Sequence, residues 1–184
     1  MTNIQTFSGM IFLSLCAVAC SQGTVADVPP ANAPVIQTLA PIIFLKDNLD
    51  EKDKLGWCID TKGREFTEKL HAHSCKPAGD DVLFSYDSVS GQIESATYPN
   101  KCAQILAEGA DVDFGLLDCD GQNPAQKFDY DVETSELHPR GKNNQCMAAG
   151  AASAAAGPYM SRSLDLVSCK EVAPALKQWA ILSE

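Results

Sequence analysis

The 184-residue sequence predicts an all-β fold made of three copies of one strand-rich unit. The first observation is a period, because Cys58, Cys102 and Cys146 follow one another at intervals of 44 residues, and Cys75 and Cys119 keep the same interval. The second is an alternation of apolar and polar residues within each unit, which is the pattern of half-buried strands. The third is the count of eight cysteines, more than a cytosolic chain of this length usually keeps as free thiols.

Composition and charge limit the classes of function. With 45% hydrophobic residues the chain has the composition of a globular protein, and 184 residues are enough for one domain and some additional sequence. The formal net charge is -10, and Lys and Arg occur singly rather than in clusters. Because nucleic-acid binding depends on clustered cations that contact phosphates, nucleic acid is not an expected partner.

The N-terminal residues have the pattern of an export signal. Residues 9 to 19 are an apolar stretch too short to span a bilayer comfortably as a helix, so we predict that residues 1–19 are a signal peptide. The stretch ends Ala17-Val18-Ala19-Cys20, which resembles a bacterial lipobox. Cys20 is therefore expected to be acylated and to become the first mature residue. The alternative is an ordinary signal peptidase site after Ala19.

Residues 20–40 connect this signal to the domain. They are rich in Ala, Pro, Val, Thr and Gln and show no apolar periodicity, which is the composition of a semi-extended, flexible linker. The domain is therefore expected to span residues 41–184. A lipid on Cys20 would tether it to a membrane surface.

The repeat extends beyond the cysteines. The same interval of 44 residues separates three further pairs, which are Phe84 and Phe128, Tyr86 and Tyr130, and Asp87 and Asp131. In the third copy the two cysteines, Cys146 and Cys169, are 23 residues apart against 17 in the first two copies. The six additional residues lie in the Ala-rich stretch from Ala148 to Gly157, which we interpret as a loop.

Each unit is expected to contain four strands. The apolar residues five and three positions before the second cysteine should face the core, and they are Leu70 and Ala72, Phe114 and Leu116, and Leu164 and Leu166. A polar loop follows that cysteine, and the next strand opens on Phe84, Phe128 or Trp179. The last strand contains an apolar residue nine positions before the next cysteine, Ile93 or Leu137.

The third copy has no room for its last strand, because only five residues follow Trp179. Leu49 lies nine positions before Cys58, the offset that marks this strand in the other copies, and it follows the apolar run Ile42-Ile43-Phe44-Leu45. An open barrel would expose an unpaired strand edge. We therefore predict that residues 42 to 50 supply the missing strand and pair with the C-terminal strand.

These motifs resemble those of the ricin-type lectin family, whose unit reads Cys-apolar-Asp near its start and Gln-x-Trp near its end. Cys58-Ile59-Asp60 carries the first motif, and Gln126-Lys127-Phe128 carries the second with Phe in place of Trp. In the third copy Trp179 is present, with Lys177 at the Gln position. The resemblance covers residues 45 to 184, and it implies a β-trefoil of twelve strands with pseudo-threefold symmetry.

The cysteines fit the same interpretation. Cys16 is removed with the signal, Cys20 takes the lipid, and six cysteines remain, for which fifteen pairings are possible in principle. The repeat selects one bridge within each unit: Cys58 to Cys75, Cys102 to Cys119, and Cys146 to Cys169. Closing loops of this length contributes on the order of 3 kcal/mol each in the chain-entropy model.

The resemblance also implies where a sugar would bind. In the family an Asp after the first cysteine accepts hydroxyl hydrogen bonds, an aromatic ring covers the apolar face of the sugar, and a polar residue follows the second cysteine. In the first repeat these positions hold Asp60, His73 and Asp81, and His71 shares the strand face of His73. Asp60 can alternatively be a turn residue that bonds its own backbone.

The corresponding sites in the other two repeats are expected to be lost. Gln104 and Leu117 replace the Asp and the aromatic residue in the second repeat, and Ala148 and Val167 replace them in the third. The pair His71 and His73 also fits a metal site, with Asp60 or Asp81 as a further ligand. A surface pair of histidines is more often solvated, and the nearby Cys75 is expected in a disulfide, so neither a metal nor a cofactor is expected.

Together these features predict a non-catalytic carbohydrate-binding module that is exported to the cell envelope, since no sequence motif of an enzyme is present. The expected partner is a carbohydrate or glycoconjugate, bound weakly through the first repeat, and membrane contact is expected only through the lipid on Cys20. The alternative is a structural or protein-interaction trefoil whose sugar sites have decayed.

Overall fold

The computed structural model describes Met1 and residues 32–63, 65–107 and 112–183. The predicted signal peptide, Cys20 and the first part of the predicted linker lie outside these residues. The described residues form fourteen β-strands: β1 (Ile42–Leu45), β2 (Trp57–Thr61), β3 (Leu70–Ser74), β4 (Phe84–Asp87), β5 (Gln92–Ser95), β6 (Lys101–Ile105), β7 (Phe114–Asp118), β8 (Phe128–Asp131), β9 (Glu136–Pro139), β10 (Gln145–Ala149), β11 (Ala154–Ala156), β12 (Tyr159–Arg162), β13 (Leu164–Ser168) and β14 (Trp179–Leu182). Two short 3-10 helices, Pro124–Gln126 and Pro174–Leu176, precede β8 and β14. No helix in this described part is long and apolar enough to cross a membrane.

Twelve of these strands form a β-trefoil, as the sequence predicted. Six of them pair two by two, as β1 with β14, β4 with β5, and β8 with β9. Backbone hydrogen bonds join the three pairs into a barrel, because the amides of Phe84, Phe128 and Trp179 donate to Pro41, Gly91 and Ser135 at 3.0, 2.8 and 2.7 Å. The hairpins β2–β3, β6–β7 and β10–β13 cover one end of the barrel.

The core is built from the residues that the repeat places inward. Leu70, Ala72, Phe114 and Leu116 are at most 1% exposed, and Leu164 belongs to the same buried cluster. The aromatic residues that open the third strand of each repeat, Phe84, Phe128 and Trp179, are also at most 1% exposed. Burying a side chain of this size stabilises the fold by about 1.5–3 kcal/mol. The alternation that predicted the inward face is confirmed.

The three disulfides have the predicted pairing within each repeat: Cys58–Cys75, Cys102–Cys119 and Cys146–Cys169. Each closes a β-hairpin near the open ends of its strands, where Cα atoms lie 4.9 to 5.1 Å apart. That separation is within the range of ordinary disulfide geometry. Each cross-link therefore ties together the two strands of one hairpin.

The N-terminal apolar run closes the barrel. β1 pairs antiparallel with β14 over its full length, from Ile42 opposite Leu182 to Leu45 opposite Trp179. Ile42, Ile43 and Leu45 are fully buried, so this strand completes the core as well as the hydrogen-bonding ring. The predicted closure of the barrel by the first and last strands of the domain is confirmed. The first strand, Ile42–Leu45, is shorter than the predicted residues 42 to 50.

The part of the predicted linker that the structure describes contacts the domain. The Val35 amide donates to the Lys54 carbonyl at 2.7 Å, and the Thr38 hydroxyl donates to the Lys76 carbonyl at 3.1 Å. Ile36 packs on the small apolar cluster beside the first disulfide. Residues 32 to 40 thus belong with the domain structurally, because their backbone and apolar groups find partners there.

The Ala-rich insertion is not the loop that the sequence predicted. Its residues form β11 and the turn into β12, and β12 pairs with β3 of the first repeat, with Ser161 opposite His73. Gly157 has φ +65°, which suits the first central position of a two-residue hairpin turn. Alternating polarity is absent here because both faces of β11 are largely exposed, so only the tertiary pairing reveals the strand.

Candidate functional site

A cleft of about 590 Å³ opens in the first repeat beside β3. One side is the outer face of β3, and the base is the loop that follows Cys75. The opposite side is the tip of the hairpin β11–β12, which belongs to the third repeat. The residues that line the cleft with polar or aromatic groups are His71, His73, Lys76, Asp80, Asp81 and Tyr159.

The register of the first hairpin determines which side chains face this cleft. Asp60 lies opposite His71, and Cys58 lies opposite His73. Because side chains alternate along a strand, these four residues share one face, while Ile59 and its cross-strand partner Ala72 point into the core. The outer face of this hairpin therefore carries a carboxylate and two imidazoles.

The carboxylate of Asp60 is buried beneath the cleft. Its side chain is 1% exposed, and its Oδ2 lies 2.9 Å from the ammonium of Lys76. The same ammonium lies 2.6 Å from Oδ1 of Asp81. Lys76 thus bridges two carboxylates, of which only Asp81 lines the cleft.

The two imidazoles lie beside this ion pair. His73 Nδ1 and His71 Nε2 are 3.5 and 3.7 Å from Oδ2 of Asp60, and the two rings are 5.3 Å apart. The Asp60 carboxylate receives no well-aligned hydrogen bond, so its stabilisation comes from the charge of Lys76 rather than from hydrogen bonding. The energy of this contact between Lys76 and Asp60 depends mainly on the distance between the two charges and less on hydrogen-bond alignment.

The structure brings together all four residues that the sequence singled out, Asp60, His71, His73 and Asp81, and adds Lys76. The carboxylate of Asp60 is buried, pairs with Lys76 and does not line the cleft, so a sugar contact by Asp60 stays a prediction. The alternative of a turn residue is wrong, because Asp60 lies within β2. No motif singled out Lys76, which is the first residue of the polar loop after Cys75.

Burial and charge shift the protonation of two of these groups. Burial lowers the pKa of His73, and this outweighs the opposing effect of Asp60, so the imidazole is more readily neutral than an ordinary histidine. Burial also acts to lower the pKa of Lys76, but its contacts with Asp81 and Asp60 outweigh burial and raise that pKa. Asp80 and Asp81 line the cleft with one ammonium, that of Lys76, and Asp60 lies buried beside it, so carboxylates outnumber the ammonium around the cleft.

Tyr159 is the aromatic residue of the cleft that the sequence did not reveal. It opens β12, is half-buried, and packs edge-on against His73 with the ring centroids 5.7 Å apart. The only signal in the sequence was a tyrosine directly after the turn residues Gly157-Pro158. A second cavity of about 290 Å³ lies beyond His71, but no Phe, Tyr or Trp ring lines it.

In the second repeat, amide side chains fill the corresponding position. Gln104 accepts hydrogen bonds from Asn123 and Gln126 at 2.9 and 3.0 Å, and Gln126 accepts one from Gln92 at 3.1 Å. The side-chain amides thus hydrogen-bond to one another. Gln104, at the position of the family's Asp, is part of this internal network. The loss of an acidic acceptor here agrees with the sequence.

The third repeat replaces two amides by an ion pair. Lys177 and Glu136 occupy the positions of Gln126 and Gln92, and their charged atoms lie 2.8 Å apart. The departure of Lys177 from the family motif is thus compensated by a carboxylate on β9. Ala148, at the position of the family's Asp, is 1% exposed and offers no side-chain hydrogen bond.

Among residues 32–63, 65–107 and 112–183, one group of acidic, histidine and cysteine side chains converges closely enough to hold a metal: Glu136, His138, Cys146 and Cys169. Both cysteines form a disulfide, so their sulfurs are not available as thiolate ligands. The pair His71 and His73 does not belong to such a group, and its nearest acidic group, Asp60, is paired with Lys76.

The sequence matches a family model described as the ricin-type beta-trefoil lectin domain, over residues 48–174. No curated protein matches the chain significantly in sequence.

Several solved structures share its fold. The beta-trefoil lectin of the Vibrio vulnificus hemolysin/cytolysin, with N-acetyl-D-lactosamine bound, has a TM-score of 0.53 at 16% identity, covering 78% of this chain and 94% of that one. A non-toxic homologue of type II RIPs from Momordica charantia, in complex with α-methyl-D-galactoside, has a TM-score of 0.50 at 13% identity, covering 77% and 46%. The agglutinin from Abrus precatorius has a TM-score of 0.50 at 11% identity, covering 83% and 48%.

Proposed function

Since the chain belongs to the ricin-type β-trefoil lectin family, we propose that it is a non-catalytic carbohydrate-binding module whose sugar site is the first-repeat cleft. The observation that supports this site is the combination of an accessible aromatic ring, Tyr159, with the polar groups of Lys76, Asp80 and Asp81 around one open cleft. A sugar requires both, because its C–H face packs on a ring while its hydroxyls need donors and acceptors.

The polar groups offer complementary hydrogen bonds. Asp80 is exposed and Asp81 borders the cleft, so their carboxylates accept bonds from sugar hydroxyls. The Lys76 ammonium donates, and with three protons it has a donor beyond its two carboxylate partners. A single open cleft makes few buried contacts, so we expect an affinity near millimolar, about -4 kcal/mol.

The charge of the cleft favours neutral pyranosides. Three carboxylates around one ammonium repel an anionic ligand, and the formal charge of the whole chain is -10. Sialylated or sulfated glycans are therefore expected to bind more weakly than their neutral counterparts. The galactosides in the Vibrio vulnificus and Momordica charantia structures are neutral, and they are suitable first probes.

The three disulfides indicate an oxidising, exported environment. We propose in addition that acylated Cys20 anchors the domain to the cell envelope. The lipobox-like ending of the apolar N-terminal stretch supports this location.

A second candidate function is a structural or protein-interaction trefoil. It is favoured by the second and third repeats, in which the amide network around Gln104 and the buried Ala148 leave no acidic acceptor. Fold alone does not decide between the two functions.

A glycan array probed with the full chain separates the two candidates. We expect signals on neutral galactosides and weaker signals on sialylated versions of the same glycans. Asp81→Asn should reduce binding several-fold, whereas Asp118→Asn, which alters the exposed pair of Asp118 with Lys101, should not. Absence of any glycan signal, together with no effect of millimolar sugar on the NMR spectrum, would favour the protein-interaction function.

A further inference from the structure

We infer that the sugar site is shared between two repeats, with Tyr159 of the third-repeat hairpin as its stacking ring. This inference rests on the proposed function and adds a binding residue from outside the first repeat. The first repeat itself offers only His73 at the position where its family has an aromatic residue.

His73 is poorly placed to cover a sugar. Its side chain is 8% exposed, and its Nδ1 lies 3.0 Å from the Ser74 carbonyl oxygen. Tyr159 packs edge-on against this imidazole, with an angle of 66° between the ring planes. Because Tyr159 is half-buried, part of its ring remains accessible from the cleft, so it is the ring that a sugar can reach.

Strand pairing fixes the position of this ring. Ser161 lies opposite His73, and Arg162 lies opposite Ala72, so β12 extends the sheet formed by β2 and β3. Tyr159 precedes Ser161 by two residues and therefore points to the same side of the sheet. The third-repeat insertion thus delivers an aromatic side chain to the face that carries Asp60 and His73.

Polar contacts of Arg162 and its neighbours hold the base of the hairpin in place. The Arg162 guanidinium lies 4.6 Å from the centre of the Trp57 ring, donates to the Gly150 carbonyl at 2.5 Å and pairs with Asp50. Asp50 also accepts a hydrogen bond from Ser153 at 2.5 Å, and the Met160 amide donates to the Ser74 hydroxyl at 3.0 Å. A ring held in this way needs little ordering when a ligand binds, which favours affinity.

Three variants of the full chain test the assignment. Each is titrated with α-methyl-D-galactoside, with N-acetyl-D-lactosamine and with the glycan that gives the strongest array signal. Tyr159→Ala should weaken binding about five- to tenfold, or about 1–1.4 kcal/mol, in the upper half of the range of about 0.5–1.5 kcal/mol for aromatic contacts. Tyr159→Phe should stay within about twofold of the wild type. Phe66→Ala, which removes a 39%-exposed ring that does not line the cleft, should have no effect.

A second measurement leaves the protein unchanged. The chain contains four tyrosines, so the ring signals of Tyr159 are identified as those missing from the Tyr159→Phe spectrum. These signals should shift when sugar is added to the wild type. This result decides the question even if Tyr159→Ala unfolds.

The outcomes are distinguishable. If the wild type binds sugar but Tyr159→Ala binds within twofold of it and the ring signals do not move, the inference is wrong and the proposed function stands. If the wild type binds no glycan at all, the proposed function is wrong and the inference fails with it.

Discussion

The ion pair beneath the cleft leads to the most quantitative prediction. Lys76→Met removes the ammonium that lies 2.9 Å from the buried carboxylate of Asp60 and 2.6 Å from Asp81. Methionine keeps most of the length and the apolar stem of lysine. The variant therefore leaves a carboxylate that is 1% exposed without its cation, with His71 and His73 as the nearest remaining groups.

The expected loss of stability follows from burial. Removing one member of a buried pair costs about 3–5 kcal/mol, and the lower end applies because the Lys76 side chain retains 15% exposure. A loss of about 3 kcal/mol corresponds to a fall of roughly 6–12 °C in Tm for a domain of this size. Lys101→Met is the matched control, because its partner Asp118 is 79% exposed and the loss should not exceed about 1 kcal/mol.

Thermal and urea unfolding, followed by circular dichroism at pH 7, measure these differences. The double variant Asp60→Asn/Lys76→Met should recover a large part of the loss, since it removes the unpaired charge as well. Two results would refute the reasoning: a Lys76→Met variant no less stable than Lys101→Met, or a double variant no more stable than Lys76→Met alone.

Three further predictions concern other parts of the chain. Deleting residues 1–31 should leave the unfolding midpoint unchanged. Deleting residues 1–51 removes β1, whose Ile42, Ile43 and Leu45 side chains are fully buried, and should give an aggregating product on size-exclusion chromatography. Equal behaviour of the two deletions would show that β1 is dispensable. Because burial lowers the pKa of His73 from 6.5, the unfolded chain binds this proton more readily, so stability in urea should be constant above about pH 7 and fall as the pH drops below 6.5. His73→Gln should remove part of that fall, and an unchanged profile would count against a buried neutral imidazole. Mass spectrometry of the mature N-terminus from the native host should find acylated Cys20, and an unmodified Cys20 or Ser21 at that terminus would exclude the anchor.

Most of the fold was predictable from the sequence because the three repeats pack equivalent residues into one common core. Three hairpins around a pseudo-threefold axis need inward residues at equivalent positions, and residues such as Phe84 and Phe128 recur for this reason. The closing strand was predictable for a related reason, because a barrel lacking one strand identifies the apolar run Ile42–Leu45 as its complement.

The departures from prediction arise where tertiary contacts override local pattern. Ala154–Ala156 has no strand pattern of its own. It forms the strand β11 because it pairs with β12, which is itself paired with β3 along its opposite edge. The family motif singled out Asp60 but did not indicate that its carboxylate is buried and paired with a lysine. That pairing depends on Lys76, a loop residue whose side-chain direction no spacing rule predicts.

Mapping sugar-induced shifts of backbone amide signals on the full wild-type chain tests the central claim most directly. With saturating α-methyl-D-galactoside or N-acetyl-D-lactosamine, we expect perturbations concentrated at residues 71–81 and 156–161, on the two sides of the cleft. We expect none at the equivalent positions around Gln104 and Ala148. Shifts centred on the second or third repeat, or no shifts at any glycan concentration, would contradict the claim that this trefoil binds sugar in its first-repeat cleft.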